Sequence, residues 1–339
     1  MGRTAMAIVL LAIVISAAAY VFFNGYKSQG AASNSAYGSG QFSQRFCVNG
    51  AGNATLLQYA IGNGIDCFRT DITLKPGQAA FIRNATAEGA QFLGILDYDT
   101  VGAQPSPGGC VSGCNWTLSD WNASVADAIA EYPGVREWEI YNEPLAQIFV
   151  SGYDNGSALD YFNMIKSAYR IIKGRDPNAT VVCFGGAEMY PVQSVEYEYA
   201  FYSKVWSYGA SKYCDAISLH AYSLPYYSLD QQIGGNLTLG QLYGMVLNLY
   251  ENLTGKPVWI TETGITSNNW AVGLNLSVQK QAMFLEQDLL FLSRYSFVRR
   301  IYWFSLIDSG GQDYGLISGA MQPKPAFYSF LNFSGRGTR

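Results

Sequence analysis

From Phe42 onward, short apolar runs bounded by turn residues alternate with longer stretches whose apolar positions recur three and four residues apart. That alternation is the pattern of successive strand–helix units. The short runs predict eight strands, at Arg45–Asn49, Asp66–Thr70, Phe92–Tyr98, Val135–Asn142, Thr180–Phe184, Ala216–Tyr222, Val258–Thr261 and Ile301–Ser305. Among the helical stretches the clearest is Ala158–Ile172, where Leu159, Phe162, Ile165, Tyr169 and Ile172 make one stripe. Thr238 with Gln241 three residues later is a capping-box signal for a second helix. A third is expected over Val278–Leu292.

Eight such repeats fit an α/β chain closed as a single (β/α)8 TIM barrel. An open doubly wound sheet would show a glycine-rich phosphate turn after its first strand. Here Gly50-Ala51-Gly52 lacks the third glycine and the following acidic residue. The barrel domain is expected to span residues 42–333, with a C-terminal tail at 334–339.

The N-terminus differs from the rest. Residues 4–23 form an uncharged apolar stretch near the ~20 residues that span a bilayer, so 1–23 reads as a signal peptide or a membrane anchor. Residues 24–41, rich in Gly, Ser, Ala and Asn, read as a flexible linker. Ten Asn-x-Ser/Thr sequons, at Asn53, Asn84, Asn115, Asn122, Asn155, Asn178, Asn236, Asn252, Asn275 and Asn332, point to an extracellular or cell-surface glycoprotein. Six cysteines are an even number, as paired thiols in an exported chain require. Their placement suggests Cys47–Cys67, Cys183–Cys214 and Cys110–Cys114.

Composition narrows the function. Charged residues are 14% of the chain and the net charge is −4, which leaves no basic face for nucleic acid. A single histidine argues against a serine triad and against a histidine-ligated zinc site, and no metal or organic cofactor is implied. A monomer is expected.

Two glutamates carry the chemistry. Glu143 lies in Trp138-Glu139-Ile140-Tyr141-Asn142-Glu143-Pro144, after the fourth strand, and Glu262 in Trp259-Ile260-Thr261-Glu262-Thr263-Gly264, after the seventh. Barrel active sites sit at the C-terminal strand ends, and a carboxylic acid facing a carboxylate is what most glycosidases need. Arg69, ending the second strand, is placed to hold Glu262 ionised. Asn142 is expected to point away from Glu143, toward a substrate hydroxyl, and Pro144 to keep Glu143 extended. His220 and Tyr222, two apart, share one side of the sixth strand and can reach a carboxylate or a sugar hydroxyl. Trp303 is the candidate sugar platform, with Tyr226, Tyr227 and Trp270 as loop contacts. Glu137, Glu139 and Asp97 read as structural first, Glu139 as the partner of an arginine.

At these residues the chain resembles the glycoside hydrolase clan GH-A, whose members are retaining (β/α)8 enzymes. The resemblance spans most of residues 42–333 and implies that Glu143, in Asn-Glu-Pro, is the acid/base and Glu262 the nucleophile. His220-Ala221-Tyr222 and Trp303 are similar to family 5; Gly94-Ile95-Leu96-Asp97-Tyr98 and Gly315-Leu316-Ile317 are similar to family 39. The function expected is a retaining β-glycosidase acting on a β-linked polysaccharide such as a glucan, mannan or xylan, with endo action preferred. The alternatives are a glycan-binding or cell-envelope barrel without catalysis, and a transglycosylase using the same residues.

Overall fold

In the computed structural model the described residues are 45–50, 53–75, 77–102, 116–147, 155–222, 228–234, 236–269, 274–309 and 311–334. The N-terminal apolar stretch, the linker, Cys110, Cys114, Tyr226, Tyr227 and Trp270 lie outside them. No helix among the described residues is long and apolar enough to cross a membrane.

Eight strands close into a parallel barrel: β1 Arg45–Asn49, β2 Cys67–Asp71, β3 Gln91–Leu96, β4 Glu137–Ile140, β5 Thr180–Glu188, β6 Ala216–Ala221, β7 Val258–Thr263 and β8 Val298–Trp303. Each pairs with its neighbours in chain order, and β8 closes on β1. All eight predicted strands are present. Those expected at Phe92–Tyr98 and Val135–Asn142 stop two residues short, because Asp97 leaves the sheet to cap the helix Tyr98–Val101 and Tyr141 turns to a positive φ of 68°.

The helices end where side chains can satisfy their free amides. Thr238 accepts from the Gln241 amide and completes the capping box of Leu239–Thr254. Ser277 caps Val278–Leu292 by accepting from Lys280. The predicted helix around Ala158–Ile172 runs from Asn155 to Arg175, but Leu159 is exposed; Tyr161, Ile165, Ala168 and Ile172 make the buried face.

Inward-facing side chains fill the barrel in layers. Cys47, Cys67, Leu93, Val182, Ala216, Trp259 and Tyr302, from seven of the eight strands, form an apolar cluster. β4 contributes acids instead: Glu137 accepts from Arg300 at 2.7 Å and Glu139 from Arg69 at 2.5 Å. The disulfide Cys47–Cys67 ties β1 to β2 inside the barrel, and Cys183–Cys214 links β5 to the approach to β6. Both pairings are those expected from the sequence.

Candidate active site

Strand alternation brings Asn49, Arg69, Glu139, His220 and Tyr222 to the inside at the C-terminal end of the barrel. Arg69 is the hub. It is almost fully buried, and its Nε donates to Glu139 Oε2 at 2.5 Å. Its Nη1 donates to Glu262 Oε1 at 2.5 Å and Asn49 Oδ1 at 3.0 Å, and its Nη2 to Asn142 Oδ1 at 2.6 Å. Burial alone would lower the guanidinium pKa, yet the charges of Glu139 and Glu262 carry it upward, so the cation persists.

Glu262 reaches the interior through an irregularity. Trp259 belongs to the inward cluster, so strict alternation would send Glu262 outward. Between Ile260 and Glu262, however, β7 advances two residues against one on β6, and between Ile260 and Thr263 three against two on β8. This one-residue bulge re-aims the carboxylate. Asn49 Nδ2 supports the turn by donating to the Thr261 carbonyl at 2.8 Å.

Once inside, Glu262 is buried and accepts from Tyr222 Oη at 2.6 Å as well as from Arg69. Burial pushes its carboxyl pKa up, but the charges of His220 and Arg69 and the bonds from Tyr222 and Arg69 outweigh it, and the net shift is down. Tyr222, half-buried at the residue level, is held well above its ordinary value by burial around its hydroxyl and by the Glu262 charge beside it, and stays a neutral donor.

Glu143 is placed by backbone geometry rather than by β4 itself. Its φ is +45°, its amide donates to the Gly185 carbonyl at 2.6 Å, and a Cβ on Gly185 would strike the Tyr141 carbonyl at 2.6 Å. The extended backbone expected before Pro144 is therefore not found; the tertiary hydrogen bond overrides the local preference. Asn142 likewise turns its oxygen to Arg69.

His220 joins the two acids. Its Nδ1 lies 2.8 Å from Glu143 Oε1 and its Nε2 3.7 Å from Glu262 Oε1. One carboxylate oxygen from each glutamate and a His220 nitrogen all fall within 4.8 Å of one another. Burial lowers the imidazole pKa, but Glu262 and Glu143 together raise it, with a net upward shift. The ring fits only because β5 carries extra residues: Cys183 pairs with Ile217 and Ala187 with Leu219, leaving Phe184, Gly185 and Gly186 in a bulge. A Cβ on Gly186 would sit 2.0 Å from His220 Nε2. Neither glycine is identified as a site residue by the sequence reading, where the doublet alone is the available signal.

Trp303 is not a platform in this structure. It is fully buried, and its Nε1 donates to the Tyr314 carbonyl at 3.2 Å. Tyr302 lies in the inward cluster, so Trp303 falls on the outer side and the next residue, Phe304, returns inward. Phe304 is the half-buried aromatic, with ring centroids 6.0 Å from Tyr222 and 5.5 Å from Tyr314. Asp97 is buried and accepts from the Asp99 amide.

The family described as the glycosyl hydrolase catalytic core matches residues 176–328, which hold His220, Tyr222 and Glu262. That stretch, a little under half of the chain, is similar to a glycoside hydrolase core. No curated protein matches it in sequence. Solved structures share the fold. A glucosidase from Croceicoccus marinus has a TM-score of 0.62 at 13% identity, over 88% of this chain and 68% of that one. A GH128 subgroup I endo-β-1,3-glucanase from Amycolatopsis mediterranei, a point mutant in complex with laminarihexaose, has a TM-score of 0.52 at 18% identity, over 85% and 98%. A GH2 β-galacturonidase from Eisenbergiella tayi has a TM-score of 0.56 at 15% identity, over 83% of this chain and only 46% of that one.

Proposed function

We propose that this barrel cleaves a β-linked polysaccharide with retention of configuration, using Glu262 as nucleophile and Glu143 as acid/base. The observation that carries the reading is the approach of the two carboxylates to within 4.8 Å. Double displacement uses a separation of about 5–5.5 Å, whereas single displacement needs about 6.5–9.5 Å to admit a water.

Environment separates the roles. Glu262 is buried and held as a carboxylate by Arg69 and Tyr222, so it keeps its charge for attack. Glu143 leaves 30% of its side chain exposed, where a leaving group and then a water can reach it. In the first step a Glu262 oxygen bonds to the anomeric carbon, while protonated Glu143 gives its proton to the departing glycosidic oxygen. In the second, a water oxygen attacks that carbon and breaks the ester to Glu262, and Glu143 takes the water proton. His220 bonds to Glu143 and faces Glu262, so it orients the first and adds positive charge beside the second.

The β-1,3-glucanase likeness adds laminarin to glucan, mannan and xylan as test substrates. Two disulfides among the described residues suit an extracellular setting, in keeping with export. A reducing-sugar assay over that panel, with the anomer of the first product read by NMR, tests the proposal. Release of the β-anomer from a β-linked glycan is expected; release of the α-anomer would overturn retention.

A further inference from the structure

The Tyr222 hydroxyl donates to Glu262 Oε2 at 2.6 Å, yet Tyr222 stands one residue beyond β6, where the strand ladder no longer fixes it. The last register pair on that side is Ala221 with Thr263. Aromatic neighbours hold the side chain instead. The rings of His220, Phe304 and Tyr314 lie 6.2, 6.0 and 6.0 Å from the Tyr222 ring, with interplanar angles of 86°, 81° and 75°. Phe304 and Tyr314 meet each other at 5.5 Å and 77°. Edge-to-face contact is a geometry that aromatic pairs prefer, so each contact restricts how the Tyr222 ring can turn.

His220 belongs to the acid pair and Phe304 directly follows β8. Tyr314 comes from the segment between β8 and the helix Pro325–Phe333, and that segment is tied down on both sides of it. The Asp313 carbonyl accepts from the Ser267 amide at 3.0 Å, from Gln281 Nε2 at 2.9 Å and from Lys324 Nζ at 3.1 Å. The Gly315 amide donates to Asp308 Oδ1 at 2.7 Å, and Lys324 Nζ reaches the same oxygen at 2.9 Å. Gln281 and Lys324 are both buried, so two desolvated polar side chains are committed to fixing this one turn of chain. The Tyr314 ring lies against the nucleophile's own segment: a Cβ on Gly264, two residues past Glu262, would come within 3.1 Å of Tyr314 Cδ1.

These contacts make one series, from the pinned loop through the Tyr314 ring and the Tyr222 ring to the Tyr222 hydroxyl and the Glu262 carboxylate. We propose that Tyr314 is a positioning residue that acts on the nucleophile through Tyr222, its ring keeping Tyr222 Oη on Glu262 Oε2. The groups that face Glu262 are Arg69 from β2, Glu143 after β4, and His220 and Tyr222 from β6, with the charge of Asp71 acting from the end of β2. Loss of the Tyr222 bond leaves the attraction of His220 and Arg69 in place and lets the Glu262 carboxyl rise toward 4.5. Burial and the Glu262 charge push the Tyr314 hydroxyl up to about 12, so Tyr314 is neutral throughout that range.

The proposal takes the role of Glu262 from the glycosidase reading, so its test reads the carboxyl without substrate. Carboxyl-carbon NMR on the glutamate-labelled chain, with the Glu262 signal assigned by its disappearance in Glu262→Gln, gives the titration midpoint. Tyr222→Phe deletes the bond and Tyr314→Leu deletes the ring. Each should move the midpoint up by about one pH unit, the order of one hydrogen bond to a charged group. Tyr314→Phe keeps the ring and should keep the wild-type midpoint. Tyr222→Phe combined with Tyr314→Leu should move it no further than either alone, because both act through one bond. On an activated aryl β-glycoside the acid limb of kcat/KM should follow the same order. A wild-type midpoint in Tyr314→Leu, a displacement in Tyr314→Phe as large as in Tyr314→Leu, or additive displacements in the double variant would each overturn the proposal. Should Tyr314→Leu not fold, Tyr314→Met, whose long adaptable side chain fills irregular space, carries the same expectations. A wild-type chain that cleaves no glycan while the midpoints move as expected would sink the hydrolytic reading and leave the role of Tyr314 standing.

Discussion

A single imidazole bridges the two carboxylates: His220 Nδ1 is 2.8 Å from Glu143 Oε1 while Nε2 is 3.7 Å from Glu262 Oε1. The ring therefore couples the proton of one acid to the charge beside the other. Replacing His220 with Gln removes that coupling and frees Glu143 to move. We expect kcat to fall about 10²-fold, the cost of a misplaced catalytic group, with KM little changed. The pH profile gives a second readout. The imidazole pKa is raised from 6.5 in the folded chain, so its proton stabilises the fold fully below 6.5, and that contribution is lost as pH rises through the folded value. His220→Gln should remove this loss of stability on the alkaline side; an unchanged stability profile would argue against a protonated bridge.

Gly186 is the floor on which that ring lies. Its φ is +83°, and an added Cβ would meet His220 Nε2 at 2.0 Å. Gly186→Ala should cost about 1–3 kcal/mol for the strained backbone and lower kcat about as far as His220→Gln, through displacement of the ring. Thermal unfolding and steady-state kinetics on one preparation check both. A stable, fully active variant would show that the bulge tolerates a side chain.

Arg69 sets the charge state of Glu262. Lysine keeps the positive charge but cannot reproduce four directed bonds to Glu139, Glu262, Asn49 and Asn142. The Glu262 carboxyl is lowered from 4.5, so the carboxylate contribution to stability is present above 4.5 and is lost as pH falls through the folded value. In Arg69→Lys the acid limb of kcat/KM should move to higher pH. Arg69→Met should destabilise the fold by about 3–5 kcal/mol, because Glu139 would be left as an unpaired buried charge. An acid limb that stays in place in Arg69→Lys would show that Arg69 does not govern the nucleophile.

The Cys47–Cys67 bond closes a loop with a sequence separation of 20. Loop-closure entropy for that length predicts about 3 kcal/mol of stabilisation. The double variant Cys47→Ser with Cys67→Ser should lose that amount in denaturant titration and keep its activity, since neither sulfur touches the acids. A loss near zero would place the stabilisation elsewhere.

The scaffold is readable because its rules are local. Strand boundaries follow apolar runs, and Thr238 and Ser277 end helices by bonds to residues three positions away. The site departs from expectation where tertiary contacts override local rules. Alternation by itself would turn Glu262 outward, and only register against both neighbours reveals the bulge. Pro144 favours an extended Glu143, yet the Gly185 carbonyl holds it at positive φ. Trp303 reads as the exposed aromatic at the last strand, but counting from inward Tyr302 gives that place to Phe304. Parity within a strand is legible from sequence; the residue from which to count is fixed only by the closed barrel.

The most direct test of the central claim is azide reactivation of Glu262→Ala on an activated aryl β-glycoside. Loss of the nucleophile should reduce turnover by roughly 10⁴-fold or more. Azide should then restore it by occupying the vacated space and attacking the anomeric carbon, giving the α-glycosyl azide. Turnover at the wild-type rate without azide, or a β-configured azide product, would contradict the assignment of Glu262.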